Sequence, residues 1–385
     1  MSGRAVGLFA GIGGLELGLS DHGWDTELYC EIDEGAQAVL SARFPDSELH
    51  GDVTTLRSLP AGVELVAAGF PCQDLSQAGR TVGITGARSG LVDEVFRLVK
   101  RKKGPRWLLL ENVPFMLQLG RGAAMRHVTS ALDELGYMWA YRVVDARAFG
   151  LPQRRQRVLM LASRTEDPRE VLLTDDAGPA EEADPNDHPC GFYWTEGVRG
   201  LGWAVNAVPT LKGGSTIGIA SPPAVRMLTG EIVTPGIVGA ERLQGFDPDW
   251  TRPALDVPGL RAGHRWKLVG NAVSTRMSSW VGHRLTTPLP YDESSDTALK
   301  SGAAWPTAAW GRGGTVYRAN VSTWPVQDEY EDLGDFLDDS KLLSARATAG
   351  FLRRARTGNL RFVPGFLDDV AQHLERMGGD PARAA

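Results

Sequence analysis

Cys72 stands in the run Gly69-Phe70-Pro71-Cys72-Gln73-Asp74-Leu75-Ser76-Gln77, where a thiol ends the apolar stretch Leu65-Val66-Ala67-Ala68. An α/β sheet presents its chemistry at such strand ends, and Pro71 fixes the backbone angle just ahead of the cysteine. A lone cysteine after a buried strand is as readily a small core residue. Its company argues otherwise. Glu111-Asn112-Val113 follows the next apolar strand, Trp107 to Leu110, and Gln153-Arg154-Arg155-Gln156-Arg157 follows the region after that. A nucleophilic thiol, a carboxylate and a pair of guanidiniums at successive strand ends are suited to converge on one small molecule.

The elements that must position these groups are legible from the start of the chain. Ala5 to Phe9 reads as a buried strand entering the turn Ala10-Gly11-Ile12-Gly13-Gly14, and Leu15, Leu17 and Leu19 suit a packed helix after it. Glycines let a backbone approach a ligand closely, and a helix amino end offers unpaired N–H groups to it. A second strand, Thr26 to Cys30, ends in Glu31, placed to accept hydrogen bonds from ribose hydroxyls, and Gly51-Asp52-Val53 follows a third segment. The spacing Gly11-x-Gly13-Gly14 is not the dinucleotide Gly-x-Gly-x-x-Gly, which argues against NAD. Between Gln73 and Gly90 the polar, glycine-rich segment is too long for a simple crossover and reads as a mobile lid. Leu91 to Val99 has helical spacing, and Lys100 to Lys103 at its carboxyl end suit the helix dipole without any ligand. Further strands are expected at Tyr141 to Val144 and Val158 to Ala162.

The 385 residues carry a net charge of -6. A nucleic-acid site must therefore be a local basic patch on an acidic protein, and Arg80 to Arg106 and Arg142 to Arg157 supply such patches. Acid gathers in Glu166 to Asp187 and in Asp328 to Asp339, both expected as solvated faces. Three cysteines without paired spacing argue against a disulfide framework or a zinc site, and point to a reducing compartment. No apolar run approaches membrane-spanning length, and no basic, apolar leader precedes the first strand; a soluble, cytoplasmic protein is expected.

Pro71-Cys72-Gln73, Glu111-Asn112-Val113 and Gln153-x-Arg155-x-Arg157, in that order between a glycine-rich start and a late Gly270-Asn271-Ala272-Val273, resemble the motifs of DNA (cytosine-5) methyltransferases of bacterial or phage type. The resemblance covers roughly residues 4 to 287 and does not extend over the last hundred or so. It implies an α/β fold with a Rossmann-like class I methyltransferase sheet, a small, mostly irregular β target recognition domain and a C-terminal extension. On this reading residues 1–163 form the first part of the catalytic domain, 164–269 the recognition region and 270–287 a helix returning to the catalytic domain. An acidic strap or linker rich in proline and tryptophan follows at 288–340, and a helical tail at 341–385, with Ser344 capping a helix from Ala345 to Arg356 that stops at Gly358.

The resemblance also assigns roles. S-adenosylmethionine would lie against Phe9, Gly11, Gly13, Gly14, Asn271, Ala272 and Val273 through its methionine part, with Glu31 at the ribose, Ile32 and Asp52 at the adenine, and Pro71 alongside. Cys72, Glu111 and Arg157, with Arg155, would carry catalysis on a flipped cytosine. Gln73, Ser76 and Arg88 in the lid, with Gln153, Arg199 and Thr210, would contact double-stranded DNA, and no metal is implied. The implied context is a monomeric enzyme paired with a restriction endonuclease or another defence partner. A transfer-RNA cytosine-5 methyltransferase and a catalytically silent DNA-binding paralogue remain the alternatives. The first lacks its Cys-Phe-Thr signature here, and intact Cys72, Glu111 and Arg157 speak against the second.

Overall fold

The computed structural model describes residues 3–71, 90–100, 104–198, 200–213 and 222–382. The chain packs as two units, the larger made of residues 1–149, 156–179 and 272–328, the smaller of 150–155, 180–271 and 329–385. The chain passes from one unit to the other after Phe149, Arg155, Pro179, Asn271 and Asp328, so the arginine-rich run is itself divided, between Arg155 and Gln156.

In the larger unit the early apolar runs form parallel strands β1 (Gly3–Leu8), β2 (Trp24–Cys30), β3 (Glu48–His50), β4 (Leu65–Gly69) and β5 (Trp107–Asn112), in the spatial order β3-β2-β1-β4-β5. Parallel strands covered on both faces read as unbroken apolar runs, and β5 is buried at every position. The sheet continues past β5 with the strand Gln156–Ser163 and then β6 (Met138–Asp145), and Gln156–Ser163 runs antiparallel to both neighbours. Its first residues therefore lie at the edge where the parallel strands end. Val6, Leu8, Val66, Leu108, Leu110 and Met160 pack with Val95 and Phe96 of the helix Leu91–Val99 in one apolar core.

Part of the stretch expected as a strap is sheet. Ala308–Arg312 and Thr315–Arg318 extend the same sheet beyond β6, Ala308–Arg312 pairing antiparallel with it. The anchors are long-range: the fully buried guanidinium of Arg142, in β6, donates to the carbonyls of Ser322 (2.7 Å) and Leu172 (3.3 Å), to that of Asp175, and to Asp176 Oδ1 (3.1 Å). Tyr141 Oη donates to Pro306 O at 2.7 Å.

The smaller unit holds a five-stranded antiparallel sheet of very short strands, in the order Ala204–Val205, Cys190–Phe192, Ala224–Arg226, Ile232–Thr234, Lys341–Leu342. The helix Ala345–Thr357, capped by Ser344 and ended at Gly358, and the helix Phe366–Arg376 complete it. Phe351, Leu352, Phe366, Val370 and Leu374 share a core with Phe192, Ala224 and Ile232. The tail thus packs as part of this unit.

Helix α1 (Gly14–Ser20) follows the glycine turn and buries Glu16 against the sheet, 1% exposed, with its carboxyl where a side chain on Gly7 would lie. Among the described residues neither carboxyl oxygen has a hydrogen-bond partner. Burial, with Glu31 nearby, pushes the Glu16 pKa up to about 8. Unfolded glutamate releases its proton near pH 4, so the folded chain holds a proton the unfolded chain lacks, and stability falls as pH climbs from about 4 to about 8. Glu16→Gln should flatten that slope, making the variant gain on wild type by a few kcal/mol between roughly pH 5 and pH 8.5 in urea denaturation. A buried amide costs the same at both pH values, so an unchanged slope would show that Glu16 does not carry it.

Candidate active site

β4 and β5 end side by side, with Gly69 in register with Glu111. Glu111 is 7% exposed, and Arg157, from the second position of the antiparallel strand, sets its Nε 2.8 Å from Glu111 Oε1. Arg157 also donates from Nη1 to Gln156 O at 2.7 Å. Two opposite charges in a largely desolvated place hold one another in a single geometry, which fixes a carboxylate edge beside the end of β4. A Cβ on Gly69 would stand 3.3 Å from Glu111 Oε2, so the glycine keeps that space clear.

Asn112 fixes what comes next along β4. Its Nδ2 donates to Phe70 O at 2.9 Å, and its own Oδ1 accepts from Val113 N at 2.9 Å. The chain is thereby pinned two residues before Cys72. Cys72 itself lies outside the described residues, as do Gln73, Ser76, Arg88 and Arg199. The other cysteines are poor nucleophiles: both are buried, and burial pushes the Cys30 thiol up to about 12 and the Cys190 thiol up to about 11.

The ends of β1, β2 and β3 form a second cluster at the same edge. Phe9 and Gly11 take left-handed backbone angles (φ 55° and 56°), Gly13 likewise (φ 83°), and a Cβ at Gly11 would meet open space. Glu31 organises this turn, with Oε2 accepting from Gly11 N at 2.7 Å and Oε1 from Asp33 N at 2.8 Å. Ile32 follows with 71% of its surface exposed, a large apolar side chain offered to solvent beside the acid. Asp52 Oδ1 accepts from the amide and hydroxyl of Thr54, both at 2.8 Å, which holds its carboxyl below the usual range and ionised. Open glycines, an acid, an exposed apolar face and a second acid fit an adenosine-bearing ligand. Val273 lies near the end of β4, 3.9 Å from where a Gly69 Cβ would be. Ala272 and Val273 occupy a break between the helices Gly263–Asn271 and Thr275–Thr286, where a single helix over 270–287 had been expected. Ser278 donates to Gly14 O at 2.9 Å, tying the second of these helices to the glycine turn.

The remaining motif residues belong to the smaller unit. Gln153, expected at DNA, is fully buried: Nε2 donates to Leu243 O (2.8 Å) and Gln244 Oε1 (3.2 Å), and Oε1 accepts from Leu211 N (3.1 Å). Its amide sits in that unit's packing, not on its surface. Arg155 is also fully buried, donating to Leu211 O (3.2 Å) and Gly270 O (3.3 Å), where Gly270 lies so close to Lys212 and Gly213 that no Cβ would fit. Thr210 gives its hydroxyl to Arg154 O at 2.8 Å, and Asn271 is exposed, with Oδ1 against Gly213. Sequence reasoning passed over the exposed Arg154, although strand alternation in Gln153-Arg154-Arg155 singles it out; Asn112 was noted only as part of its motif and given no role, and Ser278 carried no local signal.

The buried pair makes a quantitative prediction. Arg157→Ala should destabilise the fold by about 3–5 kcal/mol, because it strands a buried carboxylate, and Glu111→Gln in the same chain should restore part of that loss. Urea denaturation of the two single variants and the double variant measures it; additive losses would mean that the two side chains are not coupled.

Residues 3–189 match the family model described as C-5 cytosine-specific DNA methylase. The chain is 49% identical over 97% of its length, and 98% of the relative's, to the Type II methyltransferase M2.BsuMI of Bacillus subtilis strain 168. It is 28% identical, over 70% of its length and 89% of the relative's, to the Type II methyltransferase M.HaeII of Haemophilus aegyptius. Among solved structures, the S. pombe Dnmt2 methyltransferase matches 74% of this chain and 98% of its own with a TM-score of 0.53 at 16% identity, a likeness of fold. A relative aligned almost end to end at such identity, over a strand edge carrying these side chains in this order, places the chain in the family of C-5 cytosine-specific DNA methylases.

Proposed function

We propose that Cys72 is the nucleophile of the family's reaction, methyl transfer to carbon 5 of cytosine in DNA, and that Glu111 and Arg157 form the wall against which the base is held. The buried Glu111–Arg157 pair beside the end of β4 carries this reading. S-adenosylmethionine, the methyl donor the family generally uses, supplies an electrophilic methyl on a sulfonium that leaves as a neutral thioether. Carbon 5 of cytosine is too weak a nucleophile to take that methyl unaided. The Cys72 thiolate adds at carbon 6 and pushes the ring electrons toward carbon 5. Glu111 accepts from the exocyclic amine and, in its protonated form, donates to the ring N3, while Arg157 faces the carbonyl oxygen, so the negative charge developing on the ring meets fixed donors. After transfer, water removes the carbon 5 proton, the electrons return to the ring and the thiolate leaves.

A stacked base is out of reach of this geometry, so the cytosine leaves the duplex at a cost of roughly a few kcal/mol, with Gln73, Ser76 and Arg88 in the segment that covers it. The methionine part of the cofactor lies along Phe9, Gly11, Gly13, Gly14, Asn271, Ala272 and Val273 with Pro71 alongside; Glu31 takes the ribose, and Ile32 and Asp52 the adenine. Sequence choice resides in the smaller unit, where Arg199 and Thr210 are candidates for contact with DNA. Buried Gln153 and Arg155 position that unit's backbone from within. The names of the relatives support a restriction-modification setting with a cognate endonuclease, and we place the enzyme in the cytoplasm as a monomer.

Glu31 holds the glycine turn as well as facing the ribose, so Glu31→Ala should weaken cofactor binding by ~1.5–3 kcal/mol. Calorimetry that found wild-type affinity would remove Glu31 from the site. The order of covalent steps gives a sharper test. Fluorine at carbon 5 cannot leave as a cation, so a duplex with 5-fluorocytosine at the methylated position should trap the enzyme in a denaturation-resistant complex, only with S-adenosylmethionine present. Mass spectrometry should map the adduct to Cys72, and Cys72→Ala should form none while still binding DNA. An adduct on Cys30 or Cys190, or trapping by Cys72→Ala, would overturn the assignment.

A further inference from the structure

The helix Ala345–Thr357 presents two unlike faces. Thr348, Phe351, Leu352 and Ala355 point into the smaller unit, whereas Arg346, Gly350 and Arg353, spaced four and three apart, share the opposite face, with both arginines exposed. The helix has four arginines, Arg346, Arg353, Arg354 and Arg356, and no acid, in a chain of net charge -6. A helix dipole welcomes cations in the last turn, which accounts for Arg354 and Arg356. Arg346 stands in the first turn, where the dipole opposes a cation, and its exposure leaves little packing to compensate. Gly350 is the other oddity. Mid-helix glycine weakens a helix relative to alanine, yet an added Cβ would meet only the tip of Arg354, 3.4 Å away, so packing does not exclude alanine. Two features that each weaken this helix thus sit on one solvent-facing surface.

The same helix secures a neighbouring loop. Arg354 donates from Nη2 to Trp194 O at 2.7 Å and from Nε to Glu196 O at 3.0 Å, and Gly197 packs close to Phe351 and Ala355. That loop leads directly to Arg199. Beside it, Lys212 Nζ sits 3.8 Å from the centre of the Tyr193 ring.

We propose that the Arg346–Gly350–Arg353 face binds the sugar-phosphate backbone of the duplex, the two arginines each meeting a phosphate while the glycine lets the strand come close to the helix. The C-terminal helices then belong to the DNA-binding surface. This rests on the reading that the chain methylates duplex DNA.

The test uses the full chain, a duplex carrying the methylated sequence and an unrelated duplex, with affinities measured across salt concentrations. Neutralising two phosphate contacts should lower the slope of log K against log salt by about 1.8 in Arg346→Ala/Arg353→Ala. The loss should be the same for both duplexes, because phosphates carry no sequence information. Lysine at both positions should keep the slope. Gly350→Ala should raise the thermal midpoint yet bind both duplexes more weakly, a combination that a merely structural role would not give. An unchanged slope in the alanine pair with normal wild-type binding would overturn this proposal alone, as would a loss confined to one duplex. A wild-type chain that binds no duplex would overturn both this and the functional reading.

Discussion

The direction of one strand governs the chemistry of the larger unit. Gln156–Ser163 enters the sheet between β5 and β6 antiparallel to both, so its beginning lies beside the end of β5, and Arg157 reaches Glu111 at 2.8 Å. Were that strand parallel, the guanidinium would start at the opposite edge, and Glu111 would be a buried carboxylate without this cation, a costly state. Antiparallel insertion therefore does two things: it stabilises an acid in a low-dielectric place and aims its edge toward the residues after β4. Asn112 adds to this by holding Phe70 O, so the segment leading to Cys72 starts from a fixed point.

The other half of the edge obeys a different constraint. Strand order β3-β2-β1-β4-β5 reverses the chain's progress between β1 and β4, and open parallel sheets bind ligands at such a reversal. Glu31 meets that requirement twice over, pinning Gly11 with one carboxylate oxygen and Asp33 with the other. The glycine turn keeps its left-handed backbone because an acid holds it there, while Ile32 stays exposed beside it.

Much of this was legible in the sequence, and for a physical reason. Parallel strands buried on both faces leave contiguous apolar runs, and polar residues right after such runs mark the edge; Glu111, Glu31 and Asp52 were singled out that way, and the structure puts all three at strand ends. Ser344 and Gly358 likewise announced both ends of their helix, since capping is local chemistry. What the helix packs against was not legible, because the smaller unit's strands are two or three residues long, too short for alternation to register. The two strands between 308 and 318 were missed for a related reason: Ala308–Arg312 rests on pairing with β6, far earlier in the chain, and Thr315–Arg318 on pairing with Ala308–Arg312. Gln153 was placed at DNA from its motif, whereas alternation within Gln153-Arg154-Arg155 turns it inward and leaves Arg154 outside.

The central claim is that this edge methylates carbon 5 of cytosine at a particular duplex sequence by means of Cys72. Bisulfite sequencing of a plasmid recovered from cells expressing the chain, beside cells expressing Cys72→Ser, tests it most directly. The account predicts protected cytosines at every copy of one short sequence with the wild-type chain and none with the variant. Full conversion of the wild-type plasmid, or equal protection by Cys72→Ser, would contradict it.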